Sequence, residues 1–300
     1  MLTAFFCNMM KLKLMVLACL FCLPLLWRGD GAFSQNLSLQ DSVYNLYIDF
    51  VRSATPEIKA ESNKKFSDGL GAALAADVKG EFTFDSLRRY KVMIESQDKL
   101  LRIFTWELEA EDGTHAYYGF IHSYSRKSKK YEVYKLSDKS DGMKDPENAV
   151  LDNSKWFGAY YYEVIPVKYK KKKYYTLLGW DGNNRITNKR LIDVLYFTDK
   201  GFPKFGDAIF SSEKGKIKKR VIFEYQAGLF MSLRYDEEKN GIVFDHLSPS
   251  NPNLEGVFSY YGPDFSYDML QFKDGKWLYI KDILPRNDKS RIDKHFNPPK

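Results

Sequence analysis

Apolar and polar positions divide the chain into three textures. Residues 14–27 form one uninterrupted apolar run, residues 38–77 repeat their apolar positions at helical spacing, and from about Arg89 onward short runs of Tyr, Phe, Val and Ile alternate with turns. In the second texture Leu39, Val43, Leu46, Tyr47, Phe50 and Val51 follow the i, i+4, i+7, i+8 stripe of an amphipathic helix. Ser38 with Asp41 three residues later reads as a variant capping box at its start, and Pro56 as its stop, because Thr55 is pushed out of the helical region. A second, weaker helix is expected over 63–77, with Phe66, Leu70 and Leu74 on one face and Gly80 past its end. Gly69 and Gly71 each cost it about 1 kcal/mol relative to Ala, so it needs tertiary support.

The third texture predicts an antiparallel sheet protein. Strands are expected at 90–95, 101–108, 115–124, 131–136, 160–167, 174–180, 191–197, 208–211, 220–225, 229–235, 242–246, 268–272 and 277–283. Asn240-Gly241, Asp274-Gly275, Asp112-Gly113 and Lys200-Gly201 supply the positive φ that tight hairpins require. Asp145-Pro146-Glu147 reads as a helix start, Asp as N-cap and Pro at the first helical position, giving a short helix to about Leu151. The fold class is therefore mainly β, an antiparallel sandwich or curved meander preceded by a short helical segment. Loosely similar hairpins at 90–108, 220–235 and 268–283 keep a propeller-like arrangement as the alternative. A membrane barrel fits poorly, since charge crowds the strand region at Lys168–Lys173 where a lipid face needs none.

The first texture changes the picture of where the chain goes. Lys11 and Lys13 precede an apolar run shorter than the ~20 residues of a bilayer-spanning helix, and Ala32 and Ser34 fit the small positions before a cut. Residues 1–34 are expected to be a signal peptide, with Gln35 as the new N-terminus and Met1, Met9 or Met10 as the start. The rest divides into a helical segment at 35–80, a β domain at 81–285 and a mobile tail at 286–300, with no transmembrane segment. The product is expected to be exported: periplasmic, cell-surface or secreted. Cys19 follows Val16-Leu17-Ala18 as in a lipobox, but the apolar stretch after Lys13 is too short and Leu17 too large for one. All three cysteines, Cys7, Cys19 and Cys22, fall in the signal, so a cysteine-free mature chain has no disulfide, thiolate nucleophile or cysteine metal site.

The net charge of +7 is spread along the chain and, with export, argues against nucleic acid as a partner. Its sharpest local feature is Lys168, Lys170, Lys171, Lys172 and Lys173, read as a solvated hairpin tip, with docking onto an anionic surface as the functional alternative.

The stretches Phe84-Asp85-Ser86-Leu87, Leu101–Trp106, Asp112-Gly113-Thr114, Tyr118-Gly119-Phe120, Leu178–Gly182 and Phe205-Gly206 together resemble a group of uncharacterised exported bacterial β-rich proteins. The resemblance implies export and one contiguous domain over 80–285. It carries no activity and no catalytic residue.

Motifs for chemistry are few. His115, His122, His246 and His295 form no His-Glu-x-x-His pair, and His115 and His122, seven apart, would point to opposite faces of one strand. The loop Asp181–Arg185 lacks the alternating acids of a calcium loop and reads as a turn. No nucleophile elbow, dinucleotide fingerprint or phosphate loop is present, so neither a metal nor a cofactor is expected. Acidic residues are too numerous for a catalytic pair to be chosen. Aromatic residues make up 16% of the chain and cluster as Tyr117-Tyr118, Tyr160-Tyr161-Tyr162, Tyr174-Tyr175 and Tyr260-Tyr261, so one ring of each adjacent pair should face outward. The candidate contacts are Trp180, Asp181, Asn183 and Asn184, a flat ring beside short polar side chains, the combination that sugars require. The leading expectation is a non-enzymatic protein that binds a glycan or envelope component or serves in assembly. An envelope polysaccharide hydrolase using an acidic pair is the alternative.

Overall fold

The structure, a computed structural model, describes residues 28–283. The apolar run, the three cysteines and the tail from 286 lie outside the described residues. Among the described residues three helices come first: α1 (Arg28–Val51), α2 (Pro56–Ala76) and α3 (Asp85–Arg89). Helix α1 begins ten residues before the expected cap, so Ser38 lies inside it, and its backbone also runs through Ala32–Gln35. Pro56 is not the stop of α1 but the first residue of α2. Its fixed φ and missing N–H suit that position, and the Thr55 hydroxyl accepts the Ile58 N–H as the N-cap. The two glycines of α2 are where neighbours press closest. A Cβ on Gly69 would meet Leu46 of α1 at 2.5 Å, and one on Gly71 would meet the Phe120 ring at 3.2 Å.

The strands form three sheets. The first is β1 (Met93–Glu95), β2 (Leu101–Glu109), β3 (His115–Ser125) and β4 (Lys130–Ser137), all antiparallel in chain order. The middle sheet holds β5 (Leu151–Asp152), β6 (Tyr160–Tyr169), β7 (Lys172–Asp181), β8 (Thr187–Phe197) and β9 (Pro203–Phe205) in the order β5-β9-β8-β7-β6. The third holds β10 (Phe210–Ser211), β11 (Ile217–Lys218), β13 (Leu233–Asp236), β14 (Gly241–Pro249), β15 (Tyr261–Lys273) and β16 (Lys276–Ile280), ordered β11-β10-β16-β15-β14-β13 with one parallel pairing, β10 with β16. The remaining strand, β12 (Val221–Gln226), joins the middle sheet by pairing with β8. The protein is thus mainly β with a helical N-terminal segment and, among the described residues, no closed barrel. Asp145 departs from its expected role. Its φ is +50°, its carboxylate accepts from the Asn148 side chain, and one 3-10 turn over Pro146–Asn148 replaces the longer helix.

Alternation along the strands stacks these layers. In β7, Tyr174 and Leu178 point into the core shared with the third sheet, while Tyr175 and Leu177 point into the core shared with the first; in β8, Ile192 and Val194 divide from Leu191 and Leu195 in the same way. On the first sheet Leu101 and Ile103 face the middle sheet, and Phe104, Trp106 and Phe120 face Phe66, Leu70 and Leu74 of α2. The order of layers is helices, first sheet, middle sheet, third sheet. No core cluster among the described residues joins the first sheet to the third.

A buried guanidinium fastens the helices to the first sheet. Arg102 of β2 donates to the Asp77 carboxylate at 3.2 Å, the Phe82 carbonyl at 2.8 Å, the Gly80 carbonyl at 2.6 Å and Glu95 at 3.0 Å. Its charge is therefore met by both carboxylates and carbonyls, the condition for burying an ion at tolerable cost. His122 on the neighbouring strand is wholly buried and lies 3.2 Å from the Asp77 carbonyl through Nε2, so the neutral ring carries its proton there. Burial, and then the Arg102 charge, push the His122 pKa down from 6.5 to about 4.

This shift makes a testable contribution to stability. Above pH 6.5 the ring is neutral in both folded and unfolded chains; between 6.5 and about 4 only the unfolded chain takes up the proton, so stability falls with pH; below about 4 the effect levels off. The wild type should lose roughly 3 kcal/mol more than His122→Gln over that window in urea unfolding at stepped pH. Parallel pH profiles for the two proteins would contradict a buried neutral imidazole.

Candidate functional site

The free edge of β2 creates the site. Strand β1 pairs with Arg102–Phe104 and the Val92 carbonyl before it accepts the Thr105 N–H, so from Trp106 to Glu109 no strand covers that edge of β2 among the described residues. Into the space beside it come three other parts of the chain: Tyr47 and Phe50 of α1, Tyr90 and Lys91 after α3, and the edge strand β6 of the middle sheet with Tyr160 and Tyr162. The result is a cleft of about 720 Å³, open to solvent, with Trp180 and Arg190 at the middle sheet's side and Trp106, Glu107 and Glu109 at the first sheet's side.

Register explains the placement of the rings. Tyr160, Trp180 and Arg190 are successive pairing partners across β6, β7 and β8, so they form a lateral row near the sheet's end. A bulge between Tyr161 and Glu163 inserts Tyr162 as an unpaired extra residue. Tyr161 between them is buried, its N–H bonded to the Thr105 hydroxyl, which ties β6 to β2. Arg190 lies 5.3 Å from the Tyr162 ring centre and 5.6 Å from that of Phe230, and donates to the Met231 carbonyl. The Tyr160 hydroxyl donates to the Lys91 carbonyl, closing the cleft on the helical side.

Of the four expected contact residues, Trp180 lines the cleft, and Asp181, Asn183 and Asn184 are not among its lining residues. Trp180 is half-buried, lines the cleft and meets His115 edge to face with centroids 5.6 Å apart. Asp181, next along the strand, points inward and is buried. It accepts from the Tyr117 hydroxyl at 3.1 Å and the Asn183 N–H at 2.7 Å, with Lys189 3.8 Å away. Asn183 donates to Thr187 and accepts from Lys189, while the Asn184 side chain accepts from the Ile186 and Thr187 N–H groups. These three polar residues build the turn. Among the described residues no group of three potential metal-ligating side chains comes together.

The polar partners of Trp180 come from elsewhere. Glu107 projects beside the ring cluster, accepts from or donates to His115 Nδ1 at 2.9 Å, and its pKa is raised, first by burial, with the charges of Glu109 and Asp181 adding to the effect and His115 opposing it. Burial, then Tyr47 and Glu107, push the Tyr160 phenol up to about 12, so it stays a neutral hydrogen-bonding group. Lys59 and Lys91 add cationic groups at the rim. The cleft thus offers several aromatic faces, phenol and carboxyl groups, and a guanidinium. Its chemistry is suited to a polyhydroxylated ligand with an apolar face.

In comparisons with known proteins, no family model matches the chain, and no curated protein or solved structure is significantly similar to it.

The two neighbours Trp180 and Asp181 should respond differently to truncation. Asp181→Ala removes the acceptor of the buried Tyr117 hydroxyl and of the part-buried Asn183 N–H and should cost about 1–3 kcal/mol in chemical unfolding. Trp180→Ala, taken at a half-buried position, should cost less than the ~3–5 kcal/mol typical of a buried Trp. The reverse order would mean that Trp180, not Asp181, belongs to the core.

Proposed function

We propose that this is an exported protein that binds a glycan, or a glycan-bearing envelope component, in the cleft beside β2. The observation that carries the reading is the half-buried Trp180 ring, held between Tyr160 and Arg190 and lining a cleft that also presents Tyr47, Tyr90 and Tyr162. A pyranose offers an apolar C–H face to stack on such rings and hydroxyls for Glu107, Arg190 and the phenols to bond. Large, rigid aromatic surface supplies contact at small entropic cost. Export rests on Lys11, Lys13, the apolar run after them and the small residues Ala32 and Ser34. No helix of the described residues is long and apolar enough to cross a membrane.

One specific observation supports a second reading, a polysaccharide hydrolase. Glu107 and Glu109 are i, i+2 on one strand, which sets their Cα atoms about 6.5–7 Å apart, and both line the cleft. With its pKa raised, Glu107 suits a general acid, and Glu109, exposed, a base. The binding reading needs only the rings, whereas this one also needs substrate turnover.

A glycan screen on immobilised oligosaccharides, followed by titration of the best ligand, tests both. Trp180→Ala should weaken binding at least about tenfold with thermal unfolding still cooperative. Glu107→Gln should bind as well as wild type or within a few-fold if the protein is a binder, and should abolish reducing-end release if it is a hydrolase. A wild type that binds no glycan in a broad screen ends the proposal.

A further inference from the structure

The end of the sheet stack opposite the cleft carries a charge pattern that the proposed binding site does not use. Each sheet turns a hairpin there. In the first sheet the β3–β4 turn carries Arg126, Lys127, Lys129 and Lys130, all exposed. In the middle sheet the β6–β7 turn carries exposed Lys168, Lys170 and Lys171. In the third sheet the β15–β16 turn carries exposed Lys273 and Lys276.

Contacts between the tips make them one face. Lys173 of β7 forms an ion pair with Asp98, and the Tyr175 hydroxyl lies 3.5 Å from the same carboxylate. Asp98 sits in the β1–β2 turn, whose Leu100 and Lys99 carbonyls accept from Tyr124 N–H and the Tyr131 hydroxyl on either side of the β3–β4 tip. On the other flank a Cβ on Gly275 would lie 2.5 Å from the Tyr169 ring, so the second and third tips touch. Three acids at this end are engaged, Asp98 with Lys173, Asp207 with Lys172 and Tyr174, and Glu132 with Ser128 and Tyr134, while the β8–β9 turn, held to β4 by the Tyr134 hydroxyl on the Gly201 carbonyl, adds exposed Asp199 beside exposed Lys200. Asp274 is the acid within the three tips. The β13–β14 turn, with exposed Glu237 and Glu238, lies beside Gln271 of β15, two residues before Lys273, and bounds the face on one side.

We infer that this three-tipped basic end docks on an anionic phospholipid surface and holds the aromatic cleft away from it. Sheets pack about 10 Å apart, so three tips in a row spread their cations over roughly 20 Å, a spacing that matches a plane of many headgroups and not a single phosphate pocket. Tyr124 and Tyr169, each 36% exposed, stand among the cations, and such rings favour headgroup depth. Strand β7 carries Lys172 at one end and Trp180 eight residues on, so about 26 Å separates the docking face from the cleft. The inference is independent of what the cleft binds.

Cosedimentation with vesicles tests it. The wild-type protein should partition onto phosphatidylcholine vesicles containing phosphatidylglycerol and not onto phosphatidylcholine alone, and lose the interaction as salt rises from about 0.05 to 0.5 M. Charge reversal at one tip at a time, Lys127→Glu with Lys129→Glu, Lys170→Glu with Lys171→Glu, and Lys273→Glu with Lys276→Glu, should each lower partition at least about tenfold while melting temperature is kept. Trp180→Ala should partition as wild type. Equal binding to neutral vesicles, tip variants that bind like wild type, a loss confined to Trp180→Ala, or retention on a sulfated glycan matrix with no vesicle binding would each overturn the inference.

Discussion

The middle sheet is apolar on both of its faces, and that constraint shapes everything around it. Strands β7 and β8 send Leu177, Leu191 and Leu195 one way and Leu178, Ile192 and Val194 the other, all fully buried. Such a sheet is stable only between two others, and each outer sheet then has one face left to cover or to leave wet. The first sheet covers its outer face with α1 and α2. Solvent reaches the middle sheet only at the ends and edge of its strands, so any functional surface on it must lie there. The cleft occupies one end and the basic tips the other.

One buried ion pair lies within this arrangement. Asp193 and Arg220 are both without exposure, with Nε and Oδ2 2.7 Å apart. Asp193 also accepts from the Tyr161 hydroxyl and the Val194 N–H, and Arg220 reaches the Pro146 carbonyl and the Phe157 ring. Isolated, each charge would be prohibitive to bury; joined to a phenol, an amide and a carbonyl, they pin the loop at Pro146 to the sheet. Tyr161 is common to this network and to the β2 contact through its N–H, which makes it the link between the core and the wall of the cleft.

Period-two alternation made most strands legible in the sequence, and Gly113, Gly201 and Gly275 do take the positive φ their turns demand. Strands β5, β9 and β11 were not legible because two or three residues hold no period. The first half of β15 was not legible because Gly262 and Pro263 interrupt its apolar pattern, although an edge of the ladder tolerates both. Pro56 has two local meanings, stop and start, and only its neighbour Thr55, a good N-cap, distinguished them. At the site, Trp180 was legible as a ring beside a turn. The inward aim of Asp181 was not, since burial of a carboxylate depends on Tyr117 and Lys189 arriving from other strands. Glu107, Tyr47 and Tyr90 were missed because the cleft is made where separate layers meet. One signal did exist, the acids Glu107 and Glu109 closing a strand that is otherwise apolar from Leu101 to Trp106.

In the proposed function the half-buried ring of Trp180 is the centre of recognition, and the phenols and carboxyl around it are the source of selectivity. A structure of the protein with the tightest-binding oligosaccharide from a screen tests this most directly. The expected result is a pyranose stacked on Trp180, with hydroxyls within hydrogen-bond distance of Glu107 or Arg190. A sugar bound elsewhere, with the cleft beside β2 empty, would contradict it.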